Sequence, residues 1–262
     1  KFLLKRFIRL YPPLIVSIVL WLGYFFLGSG TLTKEVINAA IDSTFMLVPF
    51  KDSHWINNLY WTIFVLFEFY IFQALAYPLL SNANAWIRRL ALVITFFLTF
   101  VQPLFLSGFK DIKILLFFHL PIFSMGHLLF LYLKKIIGTV EFVIEFLLCM
   151  GACALLTGYV YGMGYHILIA ATLTCLGILF VKSPPRWLSF IGKISYSFYL
   201  VHGVVIYTTI YYLNHFKETP AGALITFFLI QGIAIFFSWL FYLAVEKPSS
   251  GWGKKINYRP KS

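Results

Sequence analysis

In the stretch KRFIRLYPPL, residues 5–14, Arg6 and Arg9 stand three residues apart. On a helix that spacing puts both guanidiniums on one face, where together they can grip a pyrophosphate bidentately. Topology explains the same cluster equally well, because Lys and Arg collect at the cytoplasmic ends of membrane spans. Nothing in the spacing separates the two. Other ionisable groups lie inside apolar runs: Glu68, His119, His127 and His202. Such groups are costly within a bilayer, so each is a functional candidate. An imidazole can take a proton from a hydroxyl, and a carboxylate can serve beside it. A buried Glu68–His202 pair would also exist simply to satisfy both groups.

Several titratable residues have plainer explanations. His127 reads as a packed, hydrogen-bonded histidine, and His54 and His215 fall in loops. Glu141 and Glu145 are four apart at the start of an apolar segment and read as a solvated or ion-paired helix start. Cys149, Cys153 and Cys175 sit in apolar runs without a histidine at metal-ligand spacing, so they read as small core residues and no metal is expected. The chain contains no glycine-rich phosphate loop, hydrolase elbow or zinc motif.

These residues are positioned by a membrane bundle. Hydrophobic residues make up 61% of the chain and charged residues 11%, against about 25% charged in soluble domains. About eight segments are long and apolar enough to span, near 11–28, 59–80, 87–107, 112–133, 139–160, 165–181, 195–213 and 221–244. The runs are continuous, without the alternation of a barrel, so the fold class is all-α. On these bounds Glu68 and His202 lie about 12–14 Å from a helix end, near mid-membrane. The long first connection has room for a short surface helix around residues 33–46, and residues 246–262 read as a flexible basic tail. No repeat or second domain is apparent, so residues 1–262 form one domain.

Charge sets the orientation. Lys34, Lys51, Lys110, Lys113 and Lys217 fall on one side of the alternating spans, and the other 16 of the 21 Lys and Arg fall opposite. The positive-inside rule makes the richer side, with both chain ends, cytoplasmic. The net charge of +12 is distributed between apolar runs, which excludes a nucleic-acid-binding face.

Five stretches carry a resemblance: KRFIRLYPP at 5–13, YWTIFVLFEFYIF at 60–72, FHLPIFSMG at 118–126, IGKISYSFYLVH at 191–202 and VEKP at 245–248. In order and spacing the chain resembles acyltransferase family 3 of integral membrane proteins. The resemblance implies about ten core helices, of which the first two would precede residue 1. It implies O-acyl transfer, typically of acetyl, from acyl-CoA to a carbohydrate hydroxyl such as that of lipopolysaccharide or another envelope polysaccharide. Arg6 and Arg9 would then handle the acyl-CoA donor. Ser195, Tyr196 and His202 would belong to the late motif, with Glu246 and Pro248 in VEKP. Trp61, Phe69 and Tyr70 match the aromatic frame of the tryptophan motif.

Two departures from the family stand out. The family places a Glu five residues after that tryptophan, where this chain has Leu66 and carries Glu68 instead. The family's principal histidine would lie upstream of residue 1, so residues 1–262 alone are expected to be inactive. His202, Glu68 and His119 are the catalytic candidates within the chain. The expected partners are membrane lipid, the acyl-CoA donor and a carbohydrate acceptor, in the inner cell membrane. The rival is a multi-pass transporter or flippase for an envelope glycan or lipid-linked intermediate. Against it, the chain lacks the paired broken helices and repeat symmetry of transporters.

Overall fold

The computed structural model describes residues 1–51, 53–105, 116–160, 165–213 and 219–256. Lys110, Lys113, His215, Lys217, Arg259 and Lys261 lie outside them. Among the described residues the secondary structure is helical throughout, as the all-α expectation requires. Four stretches, Phe2–Ser29, Asn58–Leu80, Arg186–Tyr211 and Ala221–Lys255, are each long and apolar enough to cross a membrane. Large apolar side chains such as Leu27, Leu75, Trp86 and Phe180 stand three-quarters or more exposed, the surface that a lipid solvent favours. The chain is an all-α membrane helix bundle.

The helices form two compact units, one of residues 1–60 with 185–262 and one of residues 61–184. The first is therefore built from both ends of the chain. It holds α1 (Phe2–Ser29), α2 (Lys34–Thr44), α8 (Arg186–Leu213), α9 (Pro220–Phe241) and α10 (Lys247–Lys255). The second holds α3 (Trp61–Leu80), α4 (Ala85–Phe105), α5 (Leu116–Leu133), α6 (Thr139–Val160) and α7 (Tyr165–Phe180). Each apolar run found in the sequence coincides with one of these helices.

Their extents differ from the sequence reading in a consistent direction. α1 begins at Phe2, not near residue 11, and α8 begins at Arg186, not near residue 195. Hydropathy marks only the apolar part of a helix, whereas the hydrogen-bonded backbone continues outward through charged turns. Pro12 and Pro13 accordingly lie inside α1. They lack N–H groups, so the carbonyls of Ile8 and Arg9 lose their helical donors. α10 helps to compensate at Arg9. Ser249 Oγ lies 3.3 Å from the Arg9 carbonyl and 2.9 Å from that of Glu246, with one proton to share. The Tyr196 hydroxyl donates to the carbonyl of Leu10 at 2.8 Å.

α2 confirms the expected short helix and is capped by Thr33, whose side chain accepts from the amide of Val36. It packs back along α1, where the Tyr11 hydroxyl donates to the Thr44 carbonyl at 2.9 Å. Ser43 Oγ then accepts from the amide of Ile56 at 2.9 Å and fixes the following chain.

Of the expected flexible tail, residues 247–255 are helical, and residues 257–262 lie outside the described residues. Residues 242–246 form a π-turn that leads directly into α10. Pro248 cannot donate to the carbonyl of Ala244 and crowds it, and the wider turn just before it accommodates the ring.

In the second unit, α5 packs against α4, α6 and α7 through Met125, Leu128, Leu129, Cys149, Cys153 and Cys175. All three cysteines are buried and free, as core residues. Glu141 is ion-paired as expected, here with Arg88 at 2.6 Å, and Glu145 lies 3.8 Å from Arg89.

Candidate functional site

The outward extensions of α1 and α8 create a feature that hydropathy alone does not reveal. Where these two helices begin and α9 ends, unit one holds a cleft of about 600 Å³. Lys5, Arg6 and Arg9 reach it from α1, Lys193 from α8 and Lys254 from α10. Glu246 is the one carboxylate in its lining. Arg6 and Arg9 do share a helix face, and that face borders this cleft. No ion pair among the described residues involves Arg9, Lys193 or Lys254. The cleft is thus a concentrated positive field with forked donors, which suits a multiply charged phosphate ligand.

Glu246 is 2% exposed and holds the wall together through one of its oxygens. Its Oε2 accepts from Ser197 Oγ at 2.6 Å and from the Ser197 amide at 3.2 Å, which ties the π-turn to α8. Tyr196, next to it, ties α8 to α1. Ser195 is exposed and donates only to its own helix, at the carbonyl of Gly192, 3.0 Å away. Tyr196, Ser197 and Glu246 thus clamp the elements that wall the cleft.

His202 stands nine residues beyond Lys193 on α8, a rise of about 14 Å from the cleft. Its Nδ1 lies 2.8 Å from the Phe198 carbonyl and 3.0 Å from that of Tyr199. Carbonyls only accept, so Nδ1 carries a proton, and in the neutral ring Nε2 carries the lone pair. That tautomer is the one a general base needs. His127 offers the contrast. Its Nε2 faces the Leu80 carbonyl at 3.5 Å while Nδ1 takes the amide of Gln73 at 2.9 Å, so both nitrogens are engaged in structure. The expectation for His127 holds.

The remaining candidates belong to unit two. Trp61 opens α3, and Glu68 lies seven residues on, two turns along the same face. That face meets α5. The ring of His119 lies 5.4 Å from the Trp61 ring, tilted by 31°. Glu68 Oε2 accepts from the amide of Leu116, the first residue of α5, at 2.8 Å. A carboxylate at a helix N-terminus meets both an unpaired donor and the positive end of the dipole. Tyr70 lies beside Phe69, with ring centroids 6.1 Å apart, and Phe69 stacks on Phe123 of α5 at 4.1 Å. Glu68 and His202 belong to different units, and each makes these hydrogen bonds within its own.

Sequence reasoning missed Ser17 and the contact that Tyr60 makes with it. Both are buried in unit one, with Oγ and Oη 2.8 Å apart. Close by in the sequence, the Tyr199 hydroxyl donates to the carbonyl of Leu59. A serine in the middle of the apolar run of α1 was the available signal. That it meets Tyr60, 43 residues on in a short 3-10 turn, was not signalled.

A family model described as an acyltransferase domain, that of acyltransferase family 3, matches residues 1–243. No curated protein matches the chain, and no solved structure does. The match takes in α1 through α9 and with them both units, so the transporter alternative falls away. The chain belongs to acyltransferase family 3 and is a membrane acyltransferase.

Proposed function

We propose that the protein transfers an acyl group, most simply acetyl, from acyl-CoA to a hydroxyl of an envelope carbohydrate, with CoA held in the cationic cleft of unit one. The observation that carries this reading is the convergence of Lys5, Arg6, Arg9, Lys193 and Lys254 on one cleft. CoA combines a pyrophosphate with a phosphate monoester, and few soluble metabolites present such a charge at the end of a slender chain. The charge asymmetry of the spans supports a cytoplasmic position for this end of the unit, where CoA is made.

His202 fits the role of proton acceptor within the chain. The rise of about 14 Å from Lys193 equals roughly four extended residues, comparable to the pantetheine arm that carries the thioester. With CoA phosphates in the cleft, that arm laid along α8 would bring the acyl carbon to the level of His202. The base would take the proton of the sugar hydroxyl as its oxygen attacks the thioester carbon. The carbon–sulfur bond then breaks, and CoA leaves as the thiolate or takes up the proton. Glu68, on this account, positions α5 and with it His119 against Trp61.

The test separates chemistry from topology. Changing Arg6 and Arg9 together to Lys keeps every charge but removes the planar forks. Membrane insertion should be unaltered while acetyl-CoA affinity, measured by titration of the purified protein, falls by about tenfold or more. Unchanged affinity would leave topology as the whole explanation of the two arginines.

A further inference from the structure

The outer wall of the cationic cleft comes from residues beyond the stretch that matches the family. α10 runs antiparallel to the first turns of α1, and two contacts fix the register. Ser249 faces the carbonyl of Arg9. A Cβ added at Gly253 would stand 3.3 Å from the carbonyl of Lys5, a tight contact that marks how closely the two helices approach. Four residues along α10 thus match four along α1. Lys254 follows Gly253 directly and lines the cleft at the level of Lys5, about 6 Å outward along α1 from Arg9.

We infer that Lys254, together with Lys5, binds the ribose phosphate monoester of the CoA donor, leaving the pyrophosphate to Arg6 and Arg9. The inference rests on the donor reading above and adds a specificity residue to it. Two observations support the assignment. The first is linear order. Along CoA the sequence from the thioester is pantetheine arm, pyrophosphate, then ribose phosphate. Along α1 the order from the apolar part of the unit is Arg9, Arg6, then Lys5, with Lys254 of α10 at the level of Lys5 and all four lining the cleft. The second is charge. Five positive side chains face the one carboxylate of Glu246, a net of four, and a pyrophosphate with a phosphate monoester carries about four negative charges. Without Lys254 the cleft would be one charge short, and its outer end would hold Lys5 alone on that side.

The experiment titrates CoA and 3′-dephospho-CoA into the purified protein in discs of uncharged lipid, with Lys254→Ala, Lys254→Arg and Lys255→Ala beside the wild type. The wild type should prefer CoA by about tenfold. Lys254→Ala should lose that preference by weakening CoA alone, with dephospho-CoA affinity unchanged. Lys254→Arg should keep it, and Lys255→Ala, an exposed neighbour outside the lining, should behave as wild type. A preference retained in Lys254→Ala would overturn the inference, and so would an equal loss for both ligands. Equal binding of the two by the wild type would overturn it while leaving the donor site standing. Binding of neither would bring down the donor reading itself, and an anionic lipid headgroup would then be the source of phosphate to test.

Discussion

Replacing His202 by Gln should lower acyl transfer by about 10²–10⁴-fold in native membranes, while acetyl-CoA affinity stays the same. The expectation follows from the hydrogen bonds of the ring. With Nδ1 donating to the carbonyls of Phe198 and Tyr199, the side chain is held in one orientation and Nε2 is left to accept a proton. Gln can imitate the donor toward Phe198 but has no basic nitrogen. A structural role would show differently, as a fall in melting temperature or in the amount inserted. The informative measurement is therefore transfer rate beside donor affinity in the same preparation. A His202→Gln protein that transfers at the wild-type rate would remove His202 from the chemistry.

The largest effect on stability is expected at Arg88. This side chain is 5% exposed. It donates to Glu141 at 2.6 Å and to the carbonyls of Asn82 and Ala83 at 2.7 and 3.0 Å. Truncation to Ala would leave a partly buried carboxylate and two carbonyls without their donor. Removing one partner of a buried pair costs about 3–5 kcal/mol, a large fraction of the total stability of most domains. Thermal unfolding of Arg88→Ala in detergent should show a markedly lowered transition. Arg88→Met combined with Glu141→Leu should recover much of the loss, because it leaves no unpaired charge. If Arg88→Ala melts with the wild type, the pair contributes nothing and α4 is held to its neighbours by apolar packing alone.

Much of the bundle was legible in the sequence because a bilayer demands long apolar runs, and these are visible without any partner. What was not legible was where helices go once they leave the apolar region. The first turns of α1 carry Lys5, Arg6 and Arg9, and those of α8 carry Arg186 and Lys193, so hydropathy stops short of both. The cleft forms between those turns. α10 was hidden for another reason. Its sequence, KPSSGWGKK, has poor intrinsic helix propensity. It is helical because Ser249 and Gly253 lock it to α1 and Glu246 locks its approach to α8, all of them tertiary effects. The site followed the same division. The spacing of Arg6 and Arg9 predicted a shared face, and Trp61 and Glu68 share one through their seven-residue interval. That the face meets Leu116 and His119 depended on which helix packs there, which spacing does not encode.

The central claim is that CoA binds at the cationic end of unit one. Photo-crosslinking with a CoA analogue that carries its reactive group on the adenine, followed by mapping of the labelled peptides, tests it directly. Label should appear in the first turns of α1, near Ser189–Lys193 or in α10, and excess acetyl-CoA should suppress it. Competable label in the other large cleft of unit one, between α2 and Ser53–Ile56, or in the helices of unit two, would contradict the account.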